Sequence, residues 1–340
     1  MDEVTDANWK WLVLDARKKT MDTNCKEHDS PLARLEGEDT EESEDDLMRD
    51  DVDGVEQVFF DFEAFPLNDS DKTGIVDMLT QIFLRTDVDV NDMASALIRQ
   101  SPFGCIFRPA DDYIDEDNEN IVFGVVSLIE LGNTKKFESD IWNLLKARAA
   151  KYAPNENIIS RLEKLSSCSG DTRVGLLINE RMLHFPTSIA APAFDSLKSD
   201  IAASGTRYRF DVVITIQKIR IADVAKQQLG RDTGGSKKKK GKAAKKRAAA
   251  AALNNADVIF DNPEEEILYS ADFVESDGGG FDYFQYPVQS DVEKESKFNS
   301  TVVGGITYRP YRRVCLMDAN RFSRFIDITS NQNSSKGSFK

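Results

Sequence analysis

The sequence predicts an α/β (α+β) domain in which a mixed β-sheet is flanked by helices. Short runs rich in Val and Ile alternate with longer segments whose apolar residues recur every three or four positions, as is typical of alternating strands and amphipathic helices. The stretch 207–318 contains more strand-like runs than helical ones, so some strands are expected to be antiparallel. At 340 residues the chain is long enough to bury a sizeable core.

In the first half of the chain, strand and helix patterns follow one another closely. Residues 57–65 alternate apolar and acidic side chains and predict a strand, and the nearly continuous apolar run 121–131 predicts a buried central strand. The acidic run 111–120 predicts a loop. Apolar residues at helical spacing predict amphipathic helices around residues 75–83, 93–98, 135–152 and 158–165.

The second half of the chain is richer in strand patterns. Residues 174–178 and 207–219 predict buried strands, and Pro192 marks the first turn of a helix, where proline is well tolerated. The runs EEEILYSADF, FDYFQY and RRVCLMD predict further strands. A final helix is predicted because Phe322, Phe325 and Ile326 share one face.

Charge divides the chain into regions. Residues 1–56 carry 19 Asp and Glu against 7 Lys and Arg, while the whole chain has a net charge of −15. We expect this acidic region to be mostly disordered, because its like charges repel and it has little apolar surface to bury. The α/β domain is predicted over 57–328 with a disordered basic insert at 230–250, and the polar tail 329–340 is expected to be disordered. No run approaches the roughly 18 apolar residues of a membrane span, and the N-terminus lacks a signal-peptide pattern, so no membrane partner is expected.

The acidic tract within the first region is a candidate surface for a basic client protein. It places eight carboxylates within eleven residues: Glu36, Glu38, Asp39, Glu41, Glu42, Glu44, Asp45 and Asp46. A negative field of this kind speeds encounter with a cationic partner and disfavours anionic partners. The alternative is that the tract only aids solubility. The preceding run WKWLVL, residues 9–14, is a candidate docking motif or an N-terminal helix packed on the domain.

The basic insert contains eight cations in eleven residues: Lys237, Lys238, Lys239, Lys240, Lys242, Lys245, Lys246 and Arg247. Two basic clusters separated by small residues fit the groove of an import receptor, so we predict a nuclear localisation signal. The alternative is a nucleic-acid-binding protein that acts through this insert. No aromatic residue for base stacking lies among the lysines, and the chain as a whole is acidic, so specific nucleic-acid binding is not expected.

Patterns for catalysis, cofactors and metals are all incomplete. Five residues rather than four separate Gly235 from Gly241, and Ala243 stands where a P-loop requires a hydroxyl. The run from Gln227 begins like the pyrophosphate loop of acetyl-CoA-binding proteins and departs from it at Asp232. The 4 cysteines form no CxxC pair and there are only 2 histidines, so no zinc site is expected. We predict a protein that is not an enzyme and has no cofactor, with a cryptic acetyl-CoA-dependent acyltransferase as an alternative.

One long run of the chain resembles a known family. VGLLINERMLHFPTSIAAPAFDSLKSDI, residues 174–201, resembles the BCCIP family, in which a VGLLxxER segment precedes a proline-flanked segment and a P-x-aromatic-xx-L segment. The family's lysine-rich insert followed by three glutamates and a tyrosine corresponds to 237–247 followed by Glu264, Glu265, Glu266 and Tyr269, and 122–131 is similar to its central strand. The residues that match the long motif are Val174, Gly175, Leu176, Leu177, Glu180, Arg181, Pro186, Pro192, Phe194 and Leu197.

The resemblance implies a fold similar to that of GCN5-related acetyltransferases without their active site, in which the motif residues are structural. It implies a nuclear adaptor or chaperone that shuttles with the cytoplasm, escorts a basic client such as a large-subunit ribosomal protein, and supports nuclear export or ribosome biogenesis. Animal members of the family bind a cyclin-dependent kinase inhibitor and a breast-cancer susceptibility protein. For such members the resemblance implies a part in the cell cycle and in DNA repair.

Overall fold

The middle strands of the sheet are apolar on both faces, which is why helices cover the sheet on both sides. The computed structural model describes residues 62–110, 121–167, 172–183, 185–223, 257–270, 273, 281–289, 291 and 299–331. Its strands, numbered in chain order from β1 to β9, are Phe62–Phe65, Cys105–Pro109, Gly124–Glu130, Val174–Arg181, Val212–Ala222, Val258–Phe260, Asp282–Pro287, Thr301–Val303 and Ile306–Asp318.

The strands form one sheet in the order β1-β2-β3-β4-β5-β9-β7, with β6 beside β5 and β8 beside β9. Within the described part of the chain, β4 and β5 are the parallel pair and every other pairing is antiparallel. A helix connects β4 to β5, as parallel neighbours require. The predicted mixed α/β sheet flanked by helices is therefore confirmed.

Six α-helices pack on the two faces of the sheet within the described ranges. The helices, numbered in chain order from α1 to α6, are Lys72–Phe83, Val90–Ile98, Lys136–Tyr152, Glu156–Ser166, Ala190–Ala203 and Ala319–Asn331. Helices α1 to α4 cover what we call the first face, where Trp142 and Phe137 are among the largest buried side chains. Helices α5 and α6 cover the second face, where the rings of Phe194 and Phe325 meet edge to face at 5.3 Å.

The two parallel strands separate after a short ladder. Residues 174–177 of β4 pair with residues 212–215 of β5, and no main-chain pairing joins the two strands beyond that point. Strand β6 then takes the place beside β5 that β4 has left, with Ile219 opposite Phe260. Gly175 lies inside the short ladder, where a Cβ atom would come within 2.6 Å of the Phe210 ring, so only glycine fits. The separation leaves a gap beside the last four residues of β4.

One predicted strand is wrong. The run EEEILYSADF does not add a strand, because Pro263–Tyr269 forms a 3₁₀ helix that begins directly after β6. Pro263 is at the first helical position, where its fixed backbone angle favours a helical turn. In this helical turn the first two acidic side chains, Glu264 and Glu265, are buried, and the third, Glu266, is exposed. We call this element the 3₁₀ segment.

Other differences concern element ends and short strands. Helix α6 continues to Asn331, past the predicted end of the domain at 328, and β9 begins six residues before the predicted run at 312. The sequence reading did not include β2, β6 or β8, because strands of three to five residues are too short to show a clear alternation. No helix in the described ranges has both the length and the apolar character to cross a membrane.

Candidate functional site

Two motifs that lie far apart in the sequence meet in the gap between β4 and β5. The end of β4 supplies Asn, Glu and Arg, β5 supplies a Lys, and the 3₁₀ segment with the residue before it supplies an Asn and two Glu. We call these seven side chains the buried polar network: Asn179, Glu180, Arg181, Lys218, Asn262, Glu264 and Glu265. All seven are buried in the protein.

Two side chains of the network donate hydrogen bonds to main-chain carbonyls of β4, in the part of the strand that no longer pairs with β5. The Asn262 side-chain amide donates to the carbonyl oxygen of Asn179 at 2.8 Å. The Lys218 ammonium donates to the carbonyl oxygen of Arg181 at 3.4 Å. Buried main-chain carbonyls require a donor, so these two side chains substitute for the missing ladder between β4 and β5.

On the first face of the sheet, the network contains an ion pair. The Lys218 ammonium donates to the Glu180 carboxylate, and their side chains are 3% and 1% exposed. Arg312 of β9 also lies on this face, where its guanidinium donates to the carbonyl oxygens of Ile82 at 3.0 Å and Gln81 at 2.5 Å. Those carbonyls end α1 and lack helical partners. A charged layer therefore joins the sheet to the carboxyl end of α1.

On the second face, β4 is joined to the 3₁₀ segment. Arg181 donates to Glu264 at 2.7 Å, and both side chains are almost fully buried. The Asn179 side-chain amide donates to Glu264 at 2.9 Å and to Glu265 at 3.0 Å. Within the described residues, Glu265 Oε2 and Asn179 Oδ1 take part in no hydrogen bond. The 3₁₀ segment is thus held to the sheet by charge-assisted hydrogen bonds.

Two carboxyl groups of the network have raised pKa values. Burial raises the pKa of Glu265 well above its ordinary value, and the neighbouring Glu264 and Glu180 carboxylates add to the effect against the hydrogen bond from Asn179. Burial also raises the pKa of Glu180, although Lys218 opposes it. The network has three carboxyl groups and two cations, so a proton on Glu265 leaves it electrically balanced.

A second polar cluster lies on the second face of the sheet. The Tyr269 hydroxyl lies 2.6 Å from Gln217 Oε1 and 2.6 Å from Cys315 Sγ. The Arg313 guanidinium lies 4.5 Å from the Tyr269 ring and donates to Gln285. Burial raises the pKa of Cys315 to about 12, so its sulfur is a neutral thiol and a poor nucleophile. This cluster connects β5, β9 and β7 and offers no activated group.

The other residues of the long family motif pack in the two cores. Val174 and Leu176 face α1 to α4, and Leu177, Phe194 and Leu197 lie in the core of the second face. Pro186 precedes a short 3₁₀ turn, and Pro192 lies in the first turn of α5 as expected. That the motif residues have a structural role stays a prediction.

Several predicted features lie outside the described residues. These are the acidic tract from Glu36 to Asp46, the lysine-rich cluster from Lys237 to Arg247, the run WKWLVL and the run from Gln227 to Asp232. What the structure does describe is where the basic insert joins the domain, between β5 and β6. At that point the Ala222 N–H donates to the carbonyl oxygen of Asp257 at 3.0 Å.

The sequence reading missed three members of the network. Asn179, Lys218 and Asn262 were not singled out, and of the three Lys218 has a signal in its local sequence. Lys218 lies at an inward position of a strand whose same-face neighbours Ile214 and Ile216 are apolar. A charged residue in such a position requires a buried partner, so the sequence indicated that a partner exists without indicating which one.

The chemistry of the site is that of a structural connector. Every ionic side chain of the network is buried and has at least one hydrogen-bonding partner inside the protein. Across the described ranges, no group of three or more His, Cys, Asp or Glu is placed to hold a metal ion. The network fixes the relative positions of β4, β5 and the 3₁₀ segment, and with them the point where the insert leaves the sheet.

The family model and the sequence relatives that match this chain agree on one family. The BCCIP family model matches residues 57–268. A protein BCCIP homolog of Caenorhabditis elegans is 37% identical over 280 residues, which cover 78% of each chain. The Drosophila melanogaster homolog is 26% identical over 288 residues, covering 81% of this chain and 84% of its own. The Homo sapiens BRCA2 and CDKN1A-interacting protein is 30% identical over 154 residues, covering 44% and 48%.

Solved structures give weaker similarities. BCP1 from Saccharomyces cerevisiae aligns with a TM-score of 0.47 at 15% identity, covering 87% of this chain and 96% of its own. A mosquito arylalkylamine N-acetyltransferase-like protein aligns with a TM-score of 0.27 at 10% identity, covering 76% of this chain and all of its own.

Proposed function

Because the chain belongs to the BCCIP family, we propose that it is a non-enzymatic adaptor that binds protein partners and escorts a basic client. The relatives support this proposal through their names, which describe an interacting protein rather than an enzyme. The observation that carries it is the burial of the network, since the polar residues of both family motifs are used internally and are not offered to a substrate. Partners would instead bind the acidic tract and the lysine-rich cluster.

The client we propose is a strongly basic protein such as a large-subunit ribosomal protein. Of the formal net charge of −15, most comes from residues 1–56. A cationic client that aggregates when free would gain both steering and solubility from such a field. Export from the nucleus and support of ribosome biogenesis fit the same client. Cell-cycle and DNA-repair proteins are the alternative partners, suggested by the name of the human relative.

Removing the charge of the acidic tract should slow capture of the client. Replacing its eight acids with Gln and Asn is expected to lower the association rate constant for a purified basic large-subunit ribosomal protein by about tenfold at low salt, with little effect at high salt. Stopped-flow fluorescence at both salt concentrations measures this. The matched control neutralises the lysine-rich cluster instead. An unchanged association rate constant at low salt would mean that the acidic tract only aids solubility.

We also propose that the protein works in the nucleus, shuttles with the cytoplasm, and enters through the lysine-rich cluster. Two basic clusters suit the acidic groove of an import receptor. The insert joins the domain between two paired strands, so its length and charge can vary without disturbing the ladder between them.

Neutralising the lysine-rich cluster should redistribute the protein. Replacing its eight Lys and Arg residues with Gln is expected to move a fluorescent fusion from the nucleus to the cytoplasm while leaving the thermal unfolding curve unchanged. A control with Gln at the exposed Lys151 and Lys164 should stay nuclear. Continued nuclear accumulation of the first variant would mean that entry depends on another segment or on a partner.

A further inference from the structure

Three side-chain atoms of the buried polar network have no hydrogen-bonding partner among the described residues. They are Asn179 Oδ1, Arg181 Nη1 and Glu265 Oε2, and all three atoms are shielded from bulk water. The residues themselves are 6%, 3% and 1% exposed. Buried polar atoms of folded proteins nearly always have a partner, either in the protein or in an ordered water molecule. A partner for these atoms has to be small enough to lie among the side chains of the network.

The hydrogen bonds of the network bring the three atoms into one region. Asn179 Nδ2 donates to Glu264 at 2.9 Å and to Glu265 Oε1 at 3.0 Å, and Arg181 Nη2 donates to Glu264 at 2.7 Å. Each atom without a partner is bonded to the same carbon as one of the atoms in these hydrogen bonds. The three atoms therefore belong to one small region between β4 and the 3₁₀ segment, beside the Glu264 carboxylate.

The charges around this region favour a neutral partner. The Glu264 carboxylate would repel an anion, and the Arg181 guanidinium would repel a cation. The partner also has to donate as well as accept, because a guanidinium nitrogen can only donate and the amide oxygen of Asn179 can only accept. A small neutral molecule that does both is water.

We propose that Asn179, Arg181 and Glu265 bind one internal water molecule, which completes the network between β4 and the 3₁₀ segment. Internal waters typically make about three hydrogen bonds to buried polar groups that otherwise have no partner. Here the water accepts from Arg181 Nη1 and donates to Asn179 Oδ1, and its third hydrogen bond joins it to Glu265 Oε2. This site is independent of the proposed adaptor function, because it consists of internal side chains alone.

The same water molecule can serve both protonation states of Glu265. Its Oε1 accepts from Asn179, so the proton that the raised pKa of Glu265 favours lies on Oε2, which then donates to the water. If the carboxyl group ionises, Oε2 accepts from the water instead. The charged groups that act on Glu265 are Glu264 beside it and Glu180 and Arg181 of β4. The water turns to match either state, so no polar atom of the site loses its partner.

The test counts internal water molecules in the full chain by oxygen-17 magnetic relaxation dispersion, which detects waters that stay in a protein for longer than it takes to tumble. Glu265→Met replaces the carboxyl group with an apolar side chain of similar size, and we expect this variant to hold one long-lived water fewer than the parent chain. Glu265→Gln is the matched control. Its oxygen can accept from Asn179 and its Nε2 can donate to the water, so its count should equal that of the parent chain.

Two results of this measurement would overturn the proposal. One is an equal count in the parent chain and in a Glu265→Met variant whose thermal unfolding curve shows that it is folded. The other is loss of a water in both variants, which would tie the count to any change at residue 265 rather than to its hydrogen-bonding atom.

A crystal structure of the parent chain tests the site even if the methionine variant does not fold. We expect an ordered water within about 2.6–3.2 Å of Asn179 Oδ1, Arg181 Nη1 and Glu265 Oε2. Direct contact between Arg181 Nη1 and Glu265 Oε2, or another group bound among the three atoms, would show that the network is completed without water.

Discussion

Replacing Lys218 with Met is expected to lower the free energy of unfolding by about 3–5 kcal/mol. The substitution keeps most of the side-chain volume and removes the ammonium group that donates to Glu180 and to the carbonyl oxygen of Arg181. The Glu180 carboxylate would then be buried without its cation, and the end of β4 would lose a main-chain hydrogen bond. Urea denaturation followed by circular dichroism measures the change.

Two further variants test whether the loss of stability in Lys218→Met comes from the burial of the ion pair rather than from the removal of any lysine. Lys198→Met removes a lysine from a pair with Asp327 in which both side chains are 48% exposed, and it should cost little because solvent screens an exposed pair. The double variant Lys218→Met, Glu180→Met replaces both buried charges, so it should recover most of the stability. Burial already raises the pKa of Glu180 despite the lysine, which shows that desolvation outweighs the attraction within this pair.

A small loss for Lys218→Met, similar to that of Lys198→Met, would contradict this account. It would mean that water or a rearranged side chain reaches Glu180, so that the gap between β4 and β5 is not sealed. A double variant as unstable as the single variant would instead mean that the main-chain hydrogen bond to Arg181, not the ion pair, is what Lys218 contributes.

The fold was largely predictable because its signals are local. The continuous apolar run of β3 and the helical spacing of α1, with Ile75, Met78 and Leu79 all buried, each identify an element without knowledge of its neighbours. The 3₁₀ segment was mistaken for a strand because the partners of its buried glutamates are distant in the sequence: Glu264 pairs with Arg181, 83 residues away, and Glu265 accepts from Asn179, 86 residues away. A pattern within one segment cannot show which distant residues will neutralise its charges.

The site was predictable only in part, for the same reason. The resemblance drew attention to Glu180, Arg181 and the three consecutive glutamates, but it did not show that they meet. Lys218 and Asn262 complete the network because β4 and β5 separate and leave main-chain carbonyls without partners. That separation follows from the pairing of whole strands, so it has no signature in any single stretch of sequence. The surface features proposed to bind partners, in contrast, are visible as runs of charge.

The same substitution at two adjacent glutamates is expected to have opposite effects. Glu264→Gln removes the carboxylate that accepts from Arg181 at 2.7 Å and leaves a buried guanidinium without its counter-charge, so the free energy of unfolding should fall by about 3–5 kcal/mol. Glu265→Gln replaces a carboxyl group that burial and two neighbouring carboxylates already disfavour in its charged form. It keeps an oxygen that can accept from Asn179, so it should not destabilise the protein at neutral pH.

The stability of Glu265→Gln should also differ from that of the parent chain in its dependence on pH. The raised pKa of Glu265 means that the folded protein retains this proton at pH values where the unfolded chain has lost it. The stability associated with Glu265 is therefore fully present below its ordinary pKa of about 4.5 and is lost as the pH rises through the higher folded value. Glutamine cannot ionise, so the advantage of Glu265→Gln over the parent chain should be absent at pH 4 and should grow as the pH rises toward 8.

Urea denaturation of the parent and both variants at pH 4, 6 and 8 measures these expectations, with Glu266→Gln as the matched control because Glu266 is the exposed member of the same run. The control should follow the parent at every pH. Equal losses for Glu264→Gln and Glu265→Gln would mean that both carboxylates are ionised and paired, and the network would then carry a net negative charge in the folded protein. Changes in the free energy of unfolding that have opposite signs in the two variants, and that diverge as the pH rises, would instead establish an electrically balanced network. In such a network, the proton on Glu265 helps to hold the 3₁₀ segment on the sheet, next to the point where the basic insert joins it.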